Sequence, residues 1–198
     1  MKKVAIVSCY LKKNYGSMLQ AYATQKFLDD QGIENETINI EENIDFKKGK
    51  SKFYKSQIFN FTFIKSKMGM VKLKLDKKIN KKLQENLSVR DKAFEKFKSN
   101  FKLTKPFHTY KELTDNSNNY GSFIVGSDQL WLPVNVVADY YTLNWVPENI
   151  NKVSYATSFG ISIIPEKYKE MYKKFLERIN YISAREKNAC KLVKDLSG

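Results

Sequence analysis

Consecutive apolar positions, rather than strictly alternating ones, mark the strands of this chain. Lys3 to Cys9 carries the unbroken run Val4-Ala5-Ile6-Val7, the pattern of a strand buried on both faces. After Asn14-Tyr15-Gly16-Ser17 the spacing changes. Met18, Leu19, Tyr22, Ala23, Phe27 and Leu28 recur mostly at three- and four-residue intervals and predict a helix through Asp30, stopped by Gly32. Ile33 to Ile40 predicts a second strand with Ile38 and Ile40 on one face, which completes a βαβ unit with a right-handed crossover.

From Glu41 to about Lys82 the pattern is irregular and basic, an excursion from the sheet that is partly helical. Glu85 to Phe101 reads as a helix with Leu87, Phe94, Phe97 and Phe101 near one stripe, and Pro106 and Asp115-Asn116-Ser117-Asn118-Asn119 mark loops. Strands are expected at Phe123–Val125, Tyr140–Trp145 and Lys152–Ser158, the last closed by Phe159-Gly160. Pro165 opens a helix to about Arg178, Tyr181–Ala184 is a short strand, and Glu186 to Leu196 is a helix. Strands alternating with helices predict the α/β class with a doubly wound, mainly parallel sheet.

Composition narrows the class further. With 198 residues, 42% of them hydrophobic, the chain can bury a substantial core as one domain, or as one and a piece of another. No apolar run is long enough to span a bilayer. The amino-terminal run after Met1-Lys2-Lys3 gives way to Ser8-Cys9-Tyr10 with no small-residue cleavage site, so it reads as a strand and not as a signal peptide. Cys9 and Cys190 have neither metal-ligand nor disulfide-framework spacing. These features predict a cytoplasmic protein with no bound metal.

The net charge of +14 is concentrated. Between Lys47 and Lys82 thirteen lysines face one acid, Asp76, a balance of +12 that leaves +2 for the rest of the chain. Phe53, Tyr54, Phe59, Phe61 and Phe63 interleave with those lysines. Basic residues mixed with aromatics suit an anionic membrane surface, although lysine runs are also common solvated faces. No RNA-recognition, zinc-finger or helix-turn-helix signature accompanies the charge, so nucleic acid is not the expected partner.

Four loops fall at strand carboxyl ends, where open α/β sheets bind ligands. They are Asn14-Tyr15-Gly16-Ser17, Gly126-Ser127-Asp128-Gln129, Ser158-Phe159-Gly160 and Ser183-Ala184-Arg185-Glu186. Gly126 permits close approach of a ligand or of another backbone, and Ser127, Asp128 and Gln129 offer hydroxyl, carboxylate and amide groups. The first loop precedes a helix whose free N–H groups favour an anion, but it lacks GxGxxG or Walker spacing, and a plain N-cap by Asn14 or Ser17 accounts for it as well. The planar fork of Arg185 suits a carboxylate or phosphate, or else pairs with Glu186 or Glu177. His108 is the single histidine, in a loop beside Pro106 and Phe107, so a nucleophilic triad would have to use it as its base.

Taken in order, four segments resemble the polysaccharide pyruvyl transferase family. They are Asn14-Tyr15-Gly16-Ser17-Met18-Leu19-Gln20-Ala21-Tyr22-Ala23, Val125-Gly126-Ser127-Asp128-Gln129-Leu130-Trp131, Ser154-Tyr155-Ala156-Thr157-Ser158-Phe159-Gly160 and Ile182-Ser183-Ala184-Arg185-Glu186. The resemblance covers both ends of the chain and fades across residues 44–85. One departure is Leu132-Pro133, where family members commonly carry Asn-Pro.

The resemblance implies transfer of a pyruvyl group from phosphoenolpyruvate, a donor substrate and not a cofactor, onto a sugar of a surface polysaccharide or of its lipid-linked precursor. It implies a Rossmann-like domain matching the amino-terminal half of a two-domain, glycosyltransferase-B-like architecture. Residues 1–198 would then form that first domain, with a basic excursion at about 44–85, and the carboxy-terminal domain with its donor-side basic and histidine residues would lie outside the chain. Activity of the 198 residues alone is left open. In this comparison Asp128 and Arg185 are the candidate catalytic residues. Asn14, Tyr15, Gly16, Ser17, Gly126, Ser127, Gln129, Trp131, Ser158, Phe159 and Gly160 are candidate substrate-binding residues. A glycan or lipid-linked glycan is the expected acceptor, and Lys47–Lys82 is the expected contact with the inner face of a membrane. Two alternatives compete: a sugar-nucleotide glycosyltransferase of similar fold, and a non-catalytic module that binds a membrane or a partner.

Overall fold

Five strands form one all-parallel sheet in the order β2-β1-β3-β4-β5. The computed structural model describes residues 2–59, 63, 65 and 79–198. In chain order the described elements are β1 (Lys3–Val7), α1 (Tyr15–Asp30), β2 (Asn35–Thr37), α2 (Ile44–Ser56), α3 (Lys81–Lys98) and α4 (Tyr110–Asn116). There follow β3 (Tyr120–Asp128), α5 (Pro133–Ala138), β4 (Asn151–Thr157), α6 (Glu166–Leu176), β5 (Tyr181–Ala184) and α7 (Lys187–Ser197). Helices on both faces make the sheet doubly wound, as the alternating pattern predicts.

Two apolar layers hold the sheet. On one face Phe46 and Phe53 of α2, Val136 and Ala138 of α5, Tyr168, Tyr172 and Phe175 of α6 and Ala189 of α7 join Ala5, Val7, Phe123 and Val125. On the other, Met18 and Ala21 of α1 pack with Tyr10, Phe94 and Phe101. Gly32 adopts φ +68 past α1 and lets the chain turn back into β2.

Three expectations need correction. Tyr140–Trp145 is a turn and not a strand. Asp139 caps α5 in the left-handed conformation, Leu143 has φ +58, and the aromatic rings bury themselves without any ladder pairing. The predicted α1 stripe is also shifted. Leu19 and Phe27 are 55% and 63% exposed, while Ser17, Ala21 and Gln25 face inward. Finally, β2 is three residues long, because Ile38 and Ile40 leave the ladder and enter the core. Part of the basic excursion, including Phe61 and most of residues 64–78, lies outside the described residues; the described part includes α2.

Candidate active site at the strand carboxyl ends

Chain order reverses between β1 and β3, and their carboxyl ends therefore frame the crevice where parallel sheets of this kind bind ligands. The first wall is built by α1. Asn14 has an extended backbone and its side chain accepts from the Ser17 N–H, an N-cap in keeping with the local sequence. That frees the Ser17 hydroxyl, on a residue 7% exposed, to donate to Asp128 Oδ2 at 2.6 Å across 111 residues of sequence.

The second wall is the end of β3, which extends through Asp128 and so carries Gly126-Ser127-Asp128 as strand and not as loop. The Gly126–Ser127 peptide is cis. The Ser127 N–H donates to Gln20 Oε1 at 2.7 Å, which ties the strand end to α1 a second time. Asp128 has φ +109, a backbone that side chains rarely adopt and that tends to persist at functional sites. Its Oδ1 accepts from the Gln129 N–H at 2.7 Å, so each carboxylate oxygen holds one donor and keeps acceptor capacity for a ligand hydroxyl.

From Asp128 the contacts continue along the rim. The Ser158 N–H donates to the Asp128 carbonyl at 3.0 Å, and the Ser158 hydroxyl donates to Glu186 Oε1 at 2.6 Å. The other Glu186 oxygen accepts from Arg185 Nε at 3.3 Å. Ser17, Asp128, Ser158, Glu186 and Arg185 therefore form one hydrogen-bonded line across the ends of β1, β3, β4 and β5. Arg185 follows β5, two strand spacings (about 10 Å) from β3.

The remaining candidates divide into exposed and buried. Tyr15 is 66% exposed, with its ring 4.8 Å from that of Phe94. Gly16, Gln129 and Gly160 are also exposed. Trp131 and Phe159 face the core and not the crevice, both with zero exposure. The Trp131 indole N–H donates to the Tyr141 carbonyl, and the Phe159 ring stacks 5.5 Å from Tyr172. Their aromatic character is used to pack α6 against the end of β4. His108 sits 3.4 Å from Glu42, both well exposed, on the loop before α4. Gln20 and Glu186 are not legible as site residues from the sequence. Gln20 and Glu186 stood inside the quoted motifs, but their contacts depend on which strands are neighbours.

The polysaccharide pyruvyl transferase family model matches residues 14–197. The chain belongs to that family. No curated protein and no solved structure matches it. All four motifs that resemble the pyruvyl transferases lie within the matched span, and the rim they build is continuous. No described helix is long and apolar enough to cross a membrane.

Proposed function

We propose that this pyruvyl transferase moves the pyruvyl group of phosphoenolpyruvate onto two hydroxyls of a glycan or lipid-linked glycan, forming a ketal and releasing inorganic phosphate. The observation that carries the reading is the Ser17–Asp128 pair at the switch between β1 and β3. Asp128 takes the proton of the attacking sugar hydroxyl as the hydroxyl oxygen bonds to C2 of the donor. The methylene carbon takes a proton from water and becomes a methyl group, and Asp128 gives the hydroxyl proton back to solvent and is again a carboxylate. The C2–O bond to phosphate then breaks, a second hydroxyl closes the ketal, and its proton leaves with the phosphate. Positive charge develops at C2, and the Asp128 carboxylate is placed to offset it. Arg185 serves the donor's carboxylate or phosphate, which requires its guanidinium to exchange Glu186 for the ligand.

The test is transfer of label from carbon-labelled phosphoenolpyruvate to saccharide by the protein of the full reading frame, with nucleotide sugars as the competing donors. Acid-labile pyruvate in the product supports the proposal. Label arriving only from a nucleotide sugar replaces it with the glycosyltransferase reading.

A specific feature of α2 favours work at an anionic membrane surface. Lys47, Lys48, Lys52 and Lys55 are exposed, with no carboxylate at ion-pair distance among the described residues. Tyr54, Ile58 and Phe59 are 44%, 58% and 98% exposed at the carboxyl end of the same helix. Lysines around exposed aromatic and aliphatic side chains suit a lipid headgroup layer. At about 1 kcal/mol per lysine, changing these four to Gln is expected to weaken binding to phosphatidylserine vesicles by about a thousandfold, measured by sedimentation. Equal sedimentation of the variant at rising salt discards the membrane contact.

A further inference from the structure

The described helices that follow β3 build one face of the sheet, through Val136 of α5, Phe175 of α6 and Ala189 of α7. On the opposite face α1 packs against β2 and β3. Tyr155 of β4 lines the space beside α1 and is left 57% exposed. That space is a groove of about 460 Å³, within the range of about 300–1,000 Å³ found for small-molecule sites. Ala23, Phe27 and Leu28 form its helix side, and Ile124, Val153 and Tyr155 form its sheet side.

The polar members of the lining are engaged within the protein. Gln20 Oε1 accepts from the Ser127 N–H at 2.7 Å, and its Nε2 donates to the Ser17 carbonyl at 2.9 Å. The Thr24 hydroxyl donates to the Gln20 carbonyl at 3.0 Å, and the Ser127 hydroxyl donates to the Ala156 carbonyl at 3.2 Å. Among the described residues no charged side chain lines the groove. An anion finds no counter-charge there, and what the remaining walls reward is apolar contact.

The position of the groove says what brings an apolar group to it. One end is formed by Gln20 and Ser127, the pair that ties β3 to α1, and Asp128 is the next residue. From Gln20 to Phe27 the groove follows α1 for about 10 Å, away from the strand carboxyl ends. A molecule with its head against Asp128 therefore lays its tail along the groove.

We propose that this groove holds an apolar chain carried by the sugar whose hydroxyl meets Asp128. The inference rests on the transferase reading only in placing a sugar in the crevice, and it narrows the acceptor to a glycan joined to a hydrophobic carrier. Contacts with the chain are the same before and in the transition state, so they lower the acceptor KM and leave kcat unchanged.

The experiment is calorimetric titration of the folded protein with methyl, butyl, hexyl, octyl and geranyl β-glucosides below their micelle concentrations. The natural chain is compared with Ala23→Phe, Phe27→Ala and Leu19→Phe. Ala23 is an exposed helix position inside the groove, so Phe fills the space without entering the core. Leu19, 55% exposed on the same helix and outside the lining, is the control for added apolar surface. Affinity is expected to rise about fourfold for each methylene buried, starting from no measurable binding of the methyl glucoside. Ala23→Phe is expected to weaken octyl glucoside binding by about tenfold or more and Phe27→Ala by about threefold, with Leu19→Phe unchanged. The tighter of the octyl and geranyl glucosides names the chain as straight or isoprenoid. Thermal unfolding is a second measure: octyl glucoside raises the unfolding temperature of the natural chain and of Leu19→Phe, and not that of Ala23→Phe. Affinity that ignores chain length, or octyl glucoside binding that Ala23→Phe leaves unchanged, overturns the groove. So does a dimer, seen by sedimentation velocity, that Ala23→Phe breaks and octyl glucoside does not. Chain-dependent binding without any pyruvyl transfer keeps the groove and removes the transferase reading.

Discussion

Asp128→Asn is expected to lower pyruvyl transfer by about 100- to 10,000-fold while leaving the fold intact, the range associated with loss of a positioned general base. The substitution keeps the size of the side chain, and Asn tolerates positive φ better than most residues, which matters at a position with φ +109. The amide oxygen can still accept from the Gln129 N–H, and the amide nitrogen can donate to the Ser17 hydroxyl, which now stands 2.6 Å from Oδ2 and can accept as well as donate. What disappears is the charge and the capacity to take a proton. The loss should fall on kcat with KM little changed, because a base acts in the transition state more than on bound substrate. Ser17→Ala removes one charge-assisted hydrogen bond and is expected to cost about tenfold in kcat, through the placement of Asp128. Steady-state rates on labelled phosphoenolpyruvate, read beside thermal unfolding, decide the matter. If Asp128→Asn keeps its rate, or loses it only together with several degrees of unfolding temperature, the carboxylate is a fastener for α1 and the proposed base lies elsewhere.

Parts of this arrangement can be read from residue order alone, for physical reasons. The runs Val4–Val7 and Phe123–Val125 are apolar at successive positions because both faces of those strands are covered, and this marked the central strands. Tyr181–Ala184 agrees with the structure at both ends, since Pro165 and the helix after it leave little room for another choice. Tyr140–Trp145 misled because aromatic residues bury well in either conformation. The deciding feature was backbone: a left-handed cap at Asp139 and φ +58 at Leu143. Trp131 and Phe159 misled for a related reason, as an aromatic residue beside a polar loop can face either the ligand or the core.

The site itself was visible only as fragments. Asn14, Ser17, Asp128, Ser158 and Arg185 could be collected by resemblance, but the Ser17–Asp128 contact exists because β3 lies beside β1, and strand order is not written in local pattern. Lys50 is one of thirteen lysines in a basic run, and nothing in its sequence neighbours shows that its Nζ stands over the Phe46 ring while Lys47, Lys48, Lys52 and Lys55 of the same helix are exposed.

Gly126→Ala is expected to destabilise the protein by about 3 kcal/mol, through positive-φ strain and overpacking together. The reason is local and severe. Gly126 has φ +148, and a Cβ added there would meet the Tyr155 carbonyl oxygen at 2.0 Å and the Thr157 hydroxyl oxygen at 3.2 Å. Both lie on β4, which is paired to β3 on one side and to β5 on the other, so the obstacle is backbone that cannot rotate away. For a chain of this length the cost is a fall of about 6–12 °C in unfolding temperature. Activity should fall further than stability does, because the displaced strand end carries Asp128 two residues later and is tied to α1 through Gln20. Gly16→Ala provides the contrast. It sits in the first turn of α1, where a Cβ meets only Asn14 Oδ1 at an ordinary 3.4 Å. There Ala is expected to add about 0.5–1 kcal/mol through helix propensity. Comparable unfolding temperatures for the two variants would show that the end of β3 yields, and a yielding strand end cannot hold Asp128 in the fixed position that proton transfer needs.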